Sequence, residues 1–515
     1  RKTAEAKSCG CLRQQENGGM CMNIASDNMK NQNQDFENSG SRAAANSRSA
    51  ADAPSSILEE GERHVTRTVV KLAWPSILEQ FLISMSTLAD TAMVGSIGAA
   101  ATAAVAVNIS SVWLINGFIT ALSVGCSYLI AHAVGSGNAR RTRSVTYQSI
   151  TCALILGLML FLGVELVCRP LPIWLGAAPD VVPLAQSYMR VIGFGLIPQS
   201  AAVVLSSIFR SAGDTRTPLA ANLTANMANI VGNFFLIYPA REMSLRGSSF
   251  FIWGAGLGVT GAAISTAASQ YLLLLILLCF LTHKNTPVRI PLFRPRYRVR
   301  LPIFRQIWHI SFPVLLERLT LTSGQIALTA MISGLGTVPL AAHYLTNQTE
   351  GILYLPAYGF SYTATALIGQ SLGAGRKDLA DRFALSICLI GSAVIVLACI
   401  PVAIWSGPII RLFSSDPEVV ALGTQTLFIA AATELFFSFF VIACGICRGA
   451  GDVRFSLLVS VIGMWGLRIG LVYLATRPLQ MGVVGVWIAI AVDCFIRTIL
   501  CIWRLKSGKW KEQKG

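Results

Sequence analysis

The sequence predicts an all-α integral membrane protein with twelve transmembrane helices. These form two six-helix lobes related by a pseudo-two-fold axis along the membrane normal. Three observations point there. Of the 515 residues, 53% are hydrophobic and only 13% charged, about half the charged share of a soluble chain. Apolar stretches of about 20 residues or more recur from near Val69 onward, each long enough to cross a hydrocarbon core of about 30 Å as a helix. The second half of the chain also repeats the first. A β-barrel is excluded because the runs are continuous rather than alternating.

Residues 1–58 are polar, rich in Asn, Ser, Gln and Ala, and without helical periodicity, so a disordered tail is expected there. Glu16-Asn17-Gly18-Gly19-Met20 reads as a translated ribosome-binding sequence ahead of Met22, which makes Met22 a candidate start. The spans fall at about 69–94, 101–134, 145–167, 182–209, 217–239 and 251–282 in an amino-terminal lobe covering 59–282. A linker occupies 283–302. The carboxyl-terminal lobe, 303–505, holds spans at 303–334, 339–372, 383–406, 419–447, 455–476 and 482–505, and 506–515 form a basic tail.

The net charge of +16 is explained by loops on one side. Arg140, Arg141, Arg143, Arg216, Arg376, Lys377, Arg454 and the linker arginines all fall on the side of both termini. The opposite loops offer only Arg169, Arg241, Arg246, Arg411 and Arg477. The positive-inside rule then places both termini in the cytoplasm, and the inner (plasma) membrane is the expected location. No nucleic-acid motif accompanies the charge. Of the thirteen cysteines, Cys9, Cys11 and Cys21 lie in the leading tail and the rest are scattered through apolar stretches; Cys444 and Cys447 lie within an apolar run, unlike a redox pair.

The repeat has a constant offset of 238 residues. Pro75 falls on Pro313, Glu79 on Glu317, Gly98 on Gly336, and Gly135 and Gly137 on Gly373 and Gly375. Arg210-Ser-Ala-Gly-Asp-Thr-Arg216 falls on Arg448-Gly-Ala-Gly-Asp-Val-Arg454. Six spans per repeat bring both halves in from the same side, which gives the axis along the membrane normal. The shared features read as scaffold: the Gly-x-Gly pairs as left-handed helix caps, and the arginine turns as snorkelling groups at the cytoplasmic face.

The unshared features are more informative. Asp90 has Leu328 as its counterpart, and Asn229 and Asn233 align with Leu467 and Leu471; a shift of three residues would pair Asn233 with Arg468 instead. The fold tolerates leucine at these places, so packing does not demand polar residues there. An intramembrane carboxylate is a functional candidate by default, and Asn229 and Asn233 share one helical face. Glu350, Arg468, Asp493 and Arg497 are expected to pair among themselves.

Pro75 and Glu79 leading to Asp90-Thr-Ala-Met-Val-Gly95, the two Gly-x-Gly ends and the arginine turns together resemble the multidrug and toxic compound extrusion (MATE) family over about 60–505. The resemblance implies a secondary active antiporter working by alternating access. It would export organic cations, drugs or other amphiphiles in exchange for protons or sodium ions, as a monomer in the lipid bilayer and with no cofactor. It implies an ion site at Asp90, Asn229 and Asn233, completed by Thr266, with any Na+ held at Asp90 and no other metal. Some branches carry Asp where this chain has Asn233, which leaves proton against sodium open. Pro75 matches a proline implicated in bending, and Glu317 and Glu434 are candidates for the substrate cavity.

The nearest alternative is a lipid-linked oligosaccharide flippase of the same broad superfamily. Arg190, Arg318, Arg468 and Arg497 are few in-span cations for a pyrophosphate cargo. An enzyme is not expected: the five histidines show no paired spacing, and no Gly-Lys-Ser/Thr phosphate loop exists. The orientation is testable by impermeant thiol labelling in a cysteine-depleted background. Cysteine at Ser248 should react from outside and cysteine at Thr286 should not; the reverse pattern would overturn the topology.

Overall fold

Helix ends in this chain are written in small residues and turn formers. Asn138 caps a helix with its side chain accepting from the Arg141 N–H at 2.9 Å, and Asp416 accepts from Glu418 N–H at 2.9 Å. The computed structural model describes residues 56–245, 248–282, 288 and 300–512, which fall in one unit covering 54–515.

The first lobe contains α1 (Ser56–Arg63), α2 (Val65–Gly95), α3 (Ala99–Gly135), α4 (Ala139–Val167), the short α5 (Leu171–Trp174), α6 (Val182–Ser211) and α7 (Arg216–Leu236). Next is an antiparallel hairpin, β1 (Pro239–Leu245) with β2 (Ser248–Ala255), and then α8 (Gly258–Thr282). The second lobe contains α9 (Leu301–Ser333), α10 (Thr337–Leu353), α11 (Leu355–Gly373), α12 (Lys377–Ile404), the short α13 (Ser406–Arg411) and α14 (Pro417–Ala450). Next come α15 (Val453–Val461), a π-helical segment (Ile462–Arg468), α16 (Ile469–Thr476) and α17 (Gly482–Lys506).

Among the described residues, eight helical spans are long and apolar enough to cross a membrane by composition alone. Those that fall short are α2, α7, α9 and the α10–α11 pair. Asp90, Asn229 and Asn233, and Glu317 lower the hydropathy of the first three, and the last is broken at Tyr354 into pieces of 17 and 19 residues.

Three elements differ from the expectation. Helix begins at Ser56 and Leu58 is fully buried, so the tail expected to reach 58 stops short; residues 1–55 lie outside the described residues. The sixth span starts at Gly258 rather than 251, because 248–255 is a strand paired antiparallel with 239–245. The eighth span is interrupted at Tyr354, ahead of Pro356. Of the linker, only Val288 and the residues from Arg300 onward are described.

The two lobes share their first helices. Leu58, Val69, Leu72 and Ala73 pack into the apolar core around Ala364, Phe383 and Ile442 of the second lobe. In mirror fashion, Ile307, Ile310, Val314 and Leu315 of α9 pack into the core of the first lobe, around Val145 and Leu205.

The repeated glycines divide into two roles. Gly137 and Gly375, with φ of 67° and 75°, supply the left-handed turn. Gly135 and Gly373 are helical, against the expectation that they cap as well. They serve a close approach instead: a Cβ on Gly135 would overlap the Gln370 carbonyl, and one on Gly373 the His132 carbonyl. The lobes meet backbone to backbone at this basic end. Gly135→Val should therefore destabilise the protein by about 1–3 kcal/mol through overpacking. An unchanged melting temperature in detergent would show that the approach is not close.

Candidate functional site

The ion-site candidates come together where α2 and α7 pack side by side. Asp90 sits near the end of α2, and Asn229 and Asn233 lie one turn apart on α7. Asn233 Nδ2 donates to Asp90 Oδ1. With its amide nitrogen facing Asp90, Asn229 donates to the same oxygen at 2.7 Å and accepts from the Thr266 backbone N–H at 3.2 Å. Thr266 Oγ1 lies 3.4 Å from the Asn229 amide, and Ser86 Oγ reaches it from α2 at 3.4 Å. Ser86 is an addition to the residues expected from the sequence. It lies one turn before Asp90 on the same helical face, which is the signal the sequence holds for it.

Asp90 is not a loop cap. The turn after α2 is held by Ser96, whose N–H bonds the Ala92 carbonyl and whose hydroxyl lies 2.7 Å from Tyr238 OH. Asp90 is half-buried, Asn233 fully buried, and Asn233 Oδ1 has no hydrogen-bond partner among the described residues. A carboxylate, an unpartnered amide oxygen and a hydroxyl make an all-oxygen donor set of the kind hard cations take. The carboxylate is the only one of these groups that changes its charge by taking up or releasing a proton.

The second lobe answers differently at the matching places. Leu328 is buried in an apolar cluster with Val472 and Trp487. Beside it, Asp493 accepts from Arg468 Nε at 2.8 Å and from Arg497 Nε at 2.7 Å, all deep in the lobe. Of the expected quartet these three pair directly, and Glu350 interacts with Arg468 electrostatically. Glu434 is fully buried: Ser438 donates to its Oε1 at 2.5 Å, its Oε2 has no partner among the described residues, and Glu350 acts on it as a neighbouring charge.

Glu317 stands apart from Glu434. Its carboxylate accepts from Arg448 at 2.8 Å, and Glu79 accepts from Arg210 at 2.8 Å and from Asn222 at 2.9 Å. Each pair spans 131 residues, so the repeat reproduces the contact as well as the residues. Both glutamates are 2% exposed and both arginines under a tenth. Arg210 and Arg448 do not snorkel as expected; the groups that do face outward are Arg216 and Arg454. A carboxylate within reach draws the guanidinium inward, where hydrogen bonds compensate its desolvation. Pro75 and Pro313 sit one turn before these glutamates, inside uninterrupted helices.

A second repeated contact joins the lobes across the basic end. His132 Nε2 lies 3.1 Å from the Gly449 carbonyl, and Gln370 Nε2 donates to the Ser211 carbonyl at 2.7 Å. His132 and Gln370 are repeat counterparts, and so are Ser211 and Gly449. Each lobe thus bonds the end of the other lobe's fourth span.

A family model, MatE, matches residues 75–235 and again 313–474. The chain belongs to the MatE family. The two matches begin 238 residues apart, the offset of the internal repeat. Among curated relatives, a probable multidrug resistance protein NorM of Thermotoga maritima is 26% identical over 455 residues, covering 87% of this chain and 94% of that one. Another NorM, from Synechocystis, is 27% identical over 471 residues, covering 87% and 95%. Among solved structures, the outward-facing conformation of a multidrug resistance MATE family transporter superposes with a TM-score of 0.79 at 22% identity, covering 87% of this chain and 97% of that one. A MOP superfamily transporter from Pyrococcus furiosus gives 0.78 at 21%, covering 90% and 98%. The twelve-helix, two-lobe MATE fold is therefore the fold of this chain, and it is a multi-pass membrane transporter.

The paired charges give a test within the MATE scaffold. Glu317→Gln leaves Arg448 buried without a counter-charge and should cost about 3–5 kcal/mol. Replacing both with leucine and methionine should recover most of that. Equal melting temperatures for the wild type and the single variant would mean that the pair contributes nothing.

Proposed function

We propose that this MatE-family chain is a secondary active antiporter that expels organic cations, drugs or related amphiphiles in exchange for protons or sodium ions. The observation that carries the reading is the polar cluster of Asp90, Asn229, Asn233 and Thr266 inside one lobe, matched by an apolar or permanently paired environment in the other. Multidrug resistance in the names of the curated relatives supports the cargo class.

In this reading Asp90 holds the coupling ion. Asn233 and Asn229 steady the carboxylate by donating to it, while Asn233 Oδ1 and the Thr266 hydroxyl add neutral oxygen ligands for a cation. Entry of one positive charge supplies about 2.3 kcal/mol per 100 mV. That drives export only where ion and cargo bind the two conformations unequally. Asn229 and Asn233 cannot titrate, so they orient the ion but do not discharge it. Pro75 supplies a place for α2 to bend, since the missing N–H frees one turn of the helix. Glu434, with Glu350 beside it, provides negative charge in the second lobe for a cationic cargo. Glu317 acts through its pair with Arg448, fixing the middle of α9 to the end of α14. The basic end faces the cytoplasm, where the lobes are in contact, so this conformation is the one closed to that side.

The reading is tested in proteoliposomes with a fluorescent cationic dye, imposing proton and sodium gradients separately. Asp90→Asn should abolish gradient-driven export while leaving folding and insertion intact, because Leu328 occupies the matching place in the second lobe. Asn229→Leu and Asn233→Leu should weaken ion dependence less completely. Near-normal transport by Asp90→Asn, with unchanged pH and sodium dependence, would remove the ion site from this lobe.

A further inference from the structure

A cavity of about 760 Å³ opens at the basic end, on the seam between the lobes and beside the His132 contact. Its walls come from both halves of the chain. Arg141 and His132 belong to the first lobe, Arg305 and His309 to α9, and Lys377 and Lys511 to the second lobe and its tail. Among the described residues, no aspartate or glutamate lines it.

The pairing of the surrounding cations is uneven. Lys511 binds Asp381 at 2.7 Å, Arg504 binds Asp452 at 2.7 Å, and Arg376 binds Glu62. Arg141, Arg305 and Lys377 have no carboxylate partner among the described residues, and all three are exposed. Asp378, the acid next to Lys377 in sequence, does not line the cavity. The positive-inside rule accounts for cations at this end. It does not account for unpaired cations from three elements facing one concavity that excludes acids.

We propose that this cavity is a binding site for a phosphate-bearing anion that bridges the two lobes. Arginine forks match phosphate oxygens bidentately, and lysine adds a point charge. The same chemistry is offered by the headgroup of an anionic phospholipid and by a soluble cytoplasmic phosphate. Because Arg141 and Lys377 lie on opposite lobes, an anion held between them stabilises the conformation in which the lobes touch at this end. A ligand bound to one conformation shifts the population toward it, so the occupied site slows the return to the conformation open at the basic end. The binding stands on the cavity alone; the effect on turnover rests on the antiport reading.

Full-length protein in phosphatidylcholine nanodiscs is titrated with pyrophosphate, and in a second arm phosphatidylglycerol is added to the discs. Melting temperature reports binding, and dye export is measured separately. A saturable rise with pyrophosphate identifies a soluble phosphate as sufficient, and a rise with phosphatidylglycerol alone identifies a headgroup. In either case Arg141→Gln and Lys377→Gln should each raise the half-saturating concentration about tenfold. Arg143→Gln and Arg382→Gln, which remove exposed cations outside the cavity, should leave it unchanged. Absence of a saturable response in both arms overturns the proposal, as does an equal shift in all four variants. Saturable binding in a protein that fails to export dye would instead sink the antiport reading and leave the site standing.

Discussion

A buried ion pair is costly to break inside a bilayer, and the pairs Glu79–Arg210 and Glu317–Arg448 place that constraint once in each lobe. Each pair fixes the first span of a lobe to the end of its fourth span at a set depth. Much of the basic end depends on that anchoring. The first helices are held where they pack into the opposite lobe's core, the fourth spans present their terminal carbonyls to His132 and Gln370, and the glycine approaches close between them. Substituting hydrophobic residues for one pair would preserve the packing of that lobe but not the matching of its depth to the other.

The same duplication lets the lobes diverge where no such constraint acts. Around Asp90 the first lobe keeps a carboxylate whose neighbours are neutral amides and hydroxyls, so its charge has freedom to change. In the second lobe the corresponding region holds Leu328 in apolar packing, and Asp493 lies paired between the guanidiniums of Arg468 and Arg497. The π-helical turn that contains Leu467 and Arg468 is part of this divergence. Arg468 closes this turn and donates through Nε to Asp493.

Much of this is legible in the sequence. Twelve apolar runs, the 238-residue offset, and the three polar residues without polar counterparts are all visible as text, because helix periodicity and duplication leave local marks. The partners of Glu79 and Glu317 are less visible. A repeated acid and a repeated base in a chain so poor in charge are a signal, but the arginines read as surface groups because their turns lie beside exposed ones. The hairpin at Pro239–Ala255 is masked by its own composition, since Phe250, Phe251, Ile252 and Trp253 run on into an apolar helix. The contacts of His132 and Gln370 carry no signal at all. They join residues 317 and 159 positions apart, and two different side chains do the same work, so neither spacing nor identity marks them.

The hairpin also makes the two lobes unequal toward the membrane itself. Phe251 and Trp253 stand two residues apart on β2, on one face of the ribbon, and are 71% and 61% exposed. Aromatic rings of this kind settle at the headgroup level of a bilayer, and a two-stranded ribbon gives them a stiff mount. The second lobe has no such element; residues 477–481 join α16 to α17 directly. The ribbon thus gives the amino-terminal lobe an aromatic contact with the lipid that a five-residue turn cannot make.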